Sequence, residues 1–240
     1  MTEDYGTFLR AELGRIEQHN ADALDKIADV LLAAIKADGT VLAAGAGHSL
    51  AAVAETFYRA GGLACVRPLY HPSLLPMHGA VSSTNAERRS GLAAEVLAGV
   101  ELTERDVLII FSTSGINPYP VELARQAKAA GAPVVAFTSI PTSSVAPKRA
   151  GSTLAEEATF VLDNLVIPGD SAYPPAAPVT APSSSLANAF LWNLLLVRLL
   201  DRATTSGFDL PLWRSANVEG GDAANKALLA KYTPRIDVLA

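Results

Sequence analysis

The stretch DVLIIFSTSGINPYPVELARQAKAAGAPVVAFTS, residues 106–139, decides the fold class because it predicts two strands joined by one helix. Asp106–Phe111 is predicted as a strand, because the continuous apolar run Val107–Phe111 is typical of a strand buried on both faces. Pro118 favours the start of a helix, which we expect to end near Ala130 before a Gly-Ala-Pro turn. Val134–Thr138 then forms the next strand, so the segment is a parallel β–α–β unit.

The segments on either side repeat this alternation of strands and helices. Three further strands are predicted at Val41–Ala44, Ala64–Val66 and Thr159–Leu162. Four further helices are predicted at 4–36, from Ser49 through Ala60, at 84–98 and at 183–203. The predicted fold is α/β: a three-layer α/β/α sandwich with a mainly parallel five-stranded sheet and added N-terminal and C-terminal helices. We divide the chain into an N-terminal helical extension (1–40), a ligand-binding domain (41–206) and a C-terminal tail (207–240) that packs on the domain or a partner subunit.

Composition excludes several classes of protein. Of the 240 residues, 50% are hydrophobic and the formal charge is −5, so the chain forms a core and lacks the basic surface of a nucleic-acid binder. One cysteine, Cys65, makes neither an internal disulfide nor a multi-thiolate zinc site. The apolar stretch Leu186–Leu200 is too short to span a membrane, and the charged N-terminus does not resemble a signal peptide. We therefore expect a cytoplasmic protein that does not bind a membrane.

Two of the predicted strands end in turns that favour a ligand. Gly45-Ala46-Gly47-His48-Ser49 allows a close backbone approach and provides a hydroxyl at a helix start. Ser112-Thr113-Ser114-Gly115-Ile116-Asn117 places hydroxyl and amide side chains before the helix that starts at Pro118. Free backbone N–H groups and the helix dipole make such a turn an anion site without a cationic side chain. The alternative for each turn is an ordinary tight turn with an N-cap.

Cofactor and metal sites are not predicted. The first turn lacks the third glycine and the later acidic residue of a dinucleotide-binding motif, since Leu50 and Ala51 follow Ser49. The histidines do not have the spacing of a zinc site. We expect no metal and no organic cofactor.

These residues carry a resemblance to a known family. Residues 106–139 resemble the phosphate-loop unit of the sugar isomerase (SIS) domain family, and VLAAGAGHSLAAVAETFYRAGG, residues 41–62, resembles its first unit. MHGAVSSTNAERRSGLA (77–93) and PSSSLANA (182–189) resemble a sugar-isomerase-like branch of that family, related to phosphoheptose isomerases and N-acetylmuramic acid 6-phosphate etherases. The resemblance implies a flavodoxin-like fold, phosphosugar binding, and a homodimer or homotetramer with sites near the subunit interface.

The resemblance also implies a set of substrate-binding residues. Asn117 stands where the family usually has Thr or Ser, and the serines that open the helix at 183 stand where relatives bring polar groups to the sugar. Phosphoheptose isomerases carry a catalytic histidine further along that helix, whereas this chain has Leu191-Trp192-Asn193 there. The expected substrate-binding residues are Gly47, His48, Ser49, Ser112, Thr113, Ser114, Gly115, Asn117, Ser183 and Ser184.

Three residues are candidates for proton transfer. Glu87 is predicted in the first turn of the helix 84–98, where it is either a base that reaches the sugar or a charge that complements the helix dipole. His78 is the expected second acid or base, because an imidazole titrates near neutral pH. Glu55 resembles a catalytic glutamate of phosphoheptose isomerases. The alternative is an ion pair on the helix surface, because Arg59 follows Glu55 by four residues.

Three functions remain open from the sequence. The first is an aldose–ketose isomerase that acts on a sugar phosphate through an enediol. The second is a lyase similar to the N-acetylmuramic acid 6-phosphate etherases, and the third is a phosphosugar sensor without catalysis. A sensor that reads DNA is disfavoured, because the first 40 residues are too short for an added DNA-binding domain.

Overall fold

A computed structural model describes residues 4–240 and contains one sheet of five strands. The strands are β1 (Val41–Gly45), β2 (Val66–Leu69), β3 (Val107–Phe111), β4 (Val134–Thr138) and β5 (Phe160–Asp163). Their order is β2-β1-β3-β4-β5 and every neighbouring pair is parallel. Every residue of the three inner strands is buried, as expected for a sheet covered on both faces.

Helices cover the sheet in two groups, which confirms the predicted α/β/α sandwich. In the first group, α1 (Tyr5–Lys36) and α2 (Leu50–Thr56) both pack against α8 (Ser184–Thr205). The second packs around α5 (Pro118–Ala129) and includes α3 (Ala80–Glu87), α4 (Leu92–Val96) and α7 (Leu154–Glu157). Two more helices are α6 (Ile140–Val145) and α9 (Gly221–Tyr232). The first three residues of the predicted extension 1–40 lie outside the described residues.

The apolar stretch predicted as a core helix at 183–203 is α8. It lies along α1 and buries Leu191, Trp192 and Leu195 completely or nearly so. Across residues 4–240, no helix combines the length and the hydropathy that crossing a membrane requires.

The second strand and the helix before it differ from the prediction. The predicted strand Ala64–Val66 is displaced toward the C-terminus, because β2 begins at Val66 and includes Pro68. A proline fits there because β2 lies at the edge of the sheet, where one row of donors has no partner strand. The helix predicted to reach Ala60 ends at Thr56, and the next residues turn away with Tyr58 at a φ of 43°.

The prediction of one continuous helix at 84–98 is wrong. The chain forms two short helices instead, α3 and α4, which are separated at Gly91. Gly91 has a φ of 89°, a left-handed conformation that breaks a helix, and its N–H donates to the Glu122 carboxylate at 2.8 Å. Glu87 is therefore the last residue of α3 and not in the first turn of a helix.

The tail, predicted as short and polar, contains α9 and packs on the same chain. Tyr232 is buried against the core. Asp38, which precedes β1, forms ion pairs with Lys231 at 3.1 Å and with Arg235 at 3.2 Å. Arg67 of β2 donates to the Arg235 carbonyl at 3.1 Å. These contacts hold the tail at the amino end of the sheet.

Asn20 of α1 forms hydrogen bonds with β5, and these bonds provide a test of the packing between the two elements. Its buried amide donates to the Asp163 carbonyl at 2.8 Å and accepts from the Asp163 N–H at 2.8 Å. Asn20→Ala leaves both backbone groups buried without a partner, at a cost of about 1–3 kcal/mol each. We expect urea denaturation to show a lower free energy of unfolding for Asn20→Ala and no change for Gln18→Ala, on the exposed face of α1. Equal stability of the two variants would contradict the role of Asn20.

Candidate functional site

The two predicted turns leave the sheet side by side. β1 and β3 are parallel neighbours and Gly45 is paired with Phe111, so both turns begin at the carboxyl edge. From β1 the chain continues to β2 on one side, and from β3 it continues to β4 on the other. This reversal of strand order leaves a crevice, and crevices of this kind are where open α/β sheets bind ligands.

The serine turn comprises residues 112–117. Its carbonyl groups accept hydrogen bonds from the segment 138–154. The Thr113 carbonyl accepts from the Ser139 N–H at 2.9 Å, and the Ser114 carbonyl accepts from the Ser143 hydroxyl at 2.7 Å. The next two carbonyls accept from backbone N–H groups: Gly115 from Leu154 at 2.7 Å and Ile116 from Arg149 at 3.1 Å. Four consecutive carbonyls therefore point toward this segment.

The N–H groups of the serine turn point the other way. In a planar trans peptide the N–H is opposite to the preceding C=O, so the N–H groups of residues 114–117 face away from the anchoring segment. Within residues 4–240 the N–H groups of Ser114, Ile116 and Asn117 make no hydrogen bond, and that of Gly115 donates to Ser112 Oγ at 3.3 Å. Successive free N–H groups at a helix start form a concavity that binds anions.

Gly115 is required for this geometry. Its φ is 59°, and a Cβ atom there would lie 3.0 Å from both Leu154 Cβ and Thr138 Oγ1. A larger side chain would push the turn off the segment that holds its carbonyls.

A cavity of about 220 Å³ lies beside the first turn and brings two of the candidate residues together. Glu87 lines it together with His48, which is exposed. Ser49, half-buried, follows His48 in the same turn and precedes α2. The cavity is lined by Gly47, His48, Pro76, Ala80, Ser83, Thr84 and Glu87.

The Glu87 carboxyl is half-buried in an environment that disfavours its charge. Burial raises the pKa of Glu87, and the Asn117 side chain and the charges of Arg88 and Arg149 oppose that rise only in part. Its place at the end of α3 excludes the structural alternative, because a carboxylate complements the dipole only at the start of a helix. A carboxyl with a raised pKa in a cavity is a candidate acid or base.

Asn117 links Glu87 to the serine turn. Asn117 is only 5% exposed, and its side chain accepts from Arg149 Nη1 at 2.9 Å. The same side chain lies close enough to the Glu87 carboxyl to lower the pKa of that group. Neither the serines of the turn nor Asn117 lines the cavity, and Asn117 is related to it through the Glu87 carboxyl. Sequence reasoning missed Arg149, because it lies 32 residues after Asn117 in a loop without a motif.

Glu55 lies away from Glu87. Glu55 is on α2 and is ion-paired with Arg59, which lies three residues beyond the end of that helix. Both line a separate cavity of about 90 Å³ together with Trp192 and Asn193 of α8. Glu55 therefore lies beside Trp192 and Asn193, in the part of α8 where phosphoheptose isomerases carry their catalytic histidine.

The other candidates also lie apart from the Glu87 cavity. His78 ends a short 3-10 turn just before α3 and is exposed. At the start of α8, the backbone N–H groups of Ser183 and Ser184 donate to the Asp170 carboxylate at 3.0 and 2.9 Å. The Ser184 hydroxyl donates to the same carboxylate at 2.6 Å. An acidic side chain of the chain itself therefore occupies this helix start.

A metal centre is not evident in the part of the chain that the structure describes. No group of three histidine, cysteine or acidic side chains in residues 4–240 is arranged to hold an ion.

The buried carboxyl of Glu87 predicts a dependence of stability on pH. Because its folded-state pKa is raised, its contribution to stability is complete below the ordinary glutamate pKa of about 4.3 and is lost as the pH rises through the folded value. Glu87→Gln avoids this loss. We expect urea denaturation to give the variant a higher free energy of unfolding than the wild type at about pH 7, and a smaller difference at about pH 4. A variant destabilised equally at both pH values would contradict this environment.

Comparisons with known proteins agree with this architecture. A family model described as the SIS domain matches residues 4–139. A UPF0309 protein of Geobacillus kaustophilus is 34% identical over 243 residues, covering 100% of this chain and 97% of the relative. The phosphoheptose isomerase structure of Neisseria gonorrhoeae has a TM-score of 0.52 at 18% identity, covering 81% of this chain and 94% of the other. That of Francisella tularensis has 0.51 at 16%, covering 82% and 95%. These two similarities show the fold. The family model shows that the chain belongs to the SIS-domain family, and the relative in Geobacillus shows that it is related to the UPF0309 proteins.

Proposed function

We propose that this protein binds a phosphorylated sugar at the carboxyl edge of the sheet, with the phosphate on the serine turn. The anchored carbonyls of residues 113–116 carry this proposal, because they leave free N–H groups beside the hydroxyls of Ser112 and Ser114. Hydrogen bonds to a charged group are stronger than those between neutral groups. Membership of the SIS family supports the same class of ligand.

The reaction we propose is aldose–ketose isomerisation through an enediol. The Glu87 carboxylate takes the proton from the carbon beside the carbonyl and returns it to the former carbonyl carbon. A second group must move the hydroxyl proton between the two oxygens. His48 lines the cavity with Glu87 and fits this role better than His78, whose side chain is exposed outside it.

The remaining residues of the proposed site hold the sugar. We assign Gly47 and Ser49 of the first turn to the sugar hydroxyls, and Thr113 and Gly115 to the phosphate through their backbone. Ser183 and Ser184 reach the ligand only if Asp170 leaves the start of α8. The cytoplasmic location, the homodimer or homotetramer, and the absence of a cofactor stay predictions from the sequence.

One experiment separates the three functions. The protein is incubated in heavy water with a panel of sugar phosphates, and loss of the proton at C2 is followed by NMR. Exchange with interconversion of aldose and ketose identifies an isomerase, and exchange with loss of a substituent identifies an etherase-like lyase. Binding without exchange identifies a sensor and would contradict the proposed reaction.

The serine turn is tested by Ser114→Ala. The Ser114 hydroxyl makes no hydrogen bond among the described residues, so its removal does not disturb the turn. We expect calorimetry to show sugar-phosphate affinity weakened by about 1.5–3 kcal/mol, the usual contribution of a hydrogen bond to a charged group. Ser144→Ala, on α6 and bonded only to the Pro141 carbonyl, is the matched control. Unchanged affinity in Ser114→Ala would remove this hydroxyl from the phosphate site.

The base is tested by Glu87→Gln, which keeps size and hydrogen bonding but removes basicity. We expect turnover to fall by about 10²–10⁴-fold, the usual contribution of a positioned base. Substrate affinity should change little, because the phosphate is held by the serine turn. Glu55→Gln is the matched comparison from the separate cavity. Full turnover in Glu87→Gln together with loss in Glu55→Gln would transfer the role of base to Glu55.

A further inference from the structure

Arg149 contacts the candidate site at two points. Its backbone N–H donates to the Ile116 carbonyl at 3.1 Å, and its Nη1 donates to Asn117 Oδ1 at 2.9 Å. The first contact is part of the anchoring of the serine turn. The second depends on the side chain alone, so the two can be separated by substitution.

The side-chain contact decides which way the Asn117 amide faces. A guanidinium only donates hydrogen bonds, so the Asn117 atom that meets Arg149 must be the carbonyl oxygen. The amide NH₂ then lies on the other side and is available to the nearby Glu87 carboxyl, whose pKa the same side chain lowers. Asn117 is almost completely buried, which limits the other partners that its amide can reach.

The same geometry accounts for asparagine at a position where the family resemblance leads one to expect serine or threonine. A planar amide carries an acceptor and a donor about 2 Å apart on opposite sides of one carbon, so a single side chain can satisfy Arg149 and Glu87 together. Among the described residues, the charges of Arg88 and Arg149 favour the ionised form of Glu87, and His48 lines the same cavity. On the packed elements, Glu122 of α5 is bonded to the Gly91 N–H, and His71 and His78 lie on the turns before α3.

We propose that Arg149 is the positioning residue of this site: it orients the Asn117 amide, which in turn orients the Glu87 carboxylate, and it supplies a fixed positive charge beside the serine turn. This role rests on the proposed function of Glu87 as the base. The same guanidinium therefore connects the residues that hold the phosphate with the residue that takes the proton.

The first test measures Glu87 directly and needs no substrate. The pKa of the Glu87 side-chain carboxyl is followed by carbon NMR in the wild type and in Arg149→Gln, Arg149→Lys and Lys148→Gln. Lys148 is the matched control, because it is the preceding residue and is paired with Glu156 at the surface. We expect a higher Glu87 pKa in Arg149→Gln, a smaller rise in Arg149→Lys, which keeps the charge but loses the planar fork, and no change in Lys148→Gln.

The second test measures turnover and anion binding. In Arg149→Gln we expect kcat to fall by about 10–100-fold, the scale of a displaced catalytic group, and the acid limb of the kcat profile to move to higher pH. Binding of inorganic phosphate should weaken several-fold, whereas Arg149→Lys should restore most of the phosphate affinity but not kcat. Circular dichroism and thermal unfolding establish that each variant is folded.

The outcomes separate this inference from the proposed function. An unchanged Glu87 pKa in folded Arg149→Gln would overturn the role of Arg149, whatever the enzyme does. A shifted pKa in a protein that turns over no sugar phosphate would support the positioning by Arg149 and contradict the proposed isomerase. Equal kcat in Arg149→Lys and wild type would show that charge alone suffices and would overturn the orienting role.

Discussion

Four consecutive carbonyl groups, from Thr113 to Ile116, are held by the segment 138–154, and the candidate site depends on this anchoring. Because each peptide is planar, fixing the carbonyl on one side presents the next N–H on the other. The same hydrogen bonds fix the direction in which α5 starts and the position of Asn117. Without them the serine turn would be a flexible loop and Glu87 would have no fixed neighbour on that side.

The position of the Glu87 carboxyl in the candidate site lowers the stability of the fold. Glu87 ends a short helix, where the dipole opposes its charge, and it is partly withdrawn from water. Such costs are typical of functional sites, and stability elsewhere must offset them. Here the offset comes from the layers on either side, where the inner strands are completely buried and α1 is bound to β5 through Asn20.

The parts of the fold that could be predicted are those with a local signal. The buried strands are apolar runs, and the serine turn lies between such a run and a proline, so its place at the strand end followed from neighbouring residues. The break at Gly91 has a local signal in the Ser90-Gly91 pair, which favours a turn and which the prediction of one helix over 84–98 did not use. Arg149 and Asp170 act on residues 32 and 14 positions away, and only the tertiary fold brings these pairs together.

The two edges of the sheet differ in the forces that hold them. At the carboxyl edge the serine turn is fixed by hydrogen bonds between backbone and hydroxyl groups, which dissolved ions do not screen. At the amino edge Asp38 binds the tail through exposed ion pairs with Lys231 and Arg235, and interactions of this kind weaken as ionic strength rises. A rise in salt therefore weakens the ion pairs that attach α9, whereas the hydrogen bonds that fix the serine turn keep their strength.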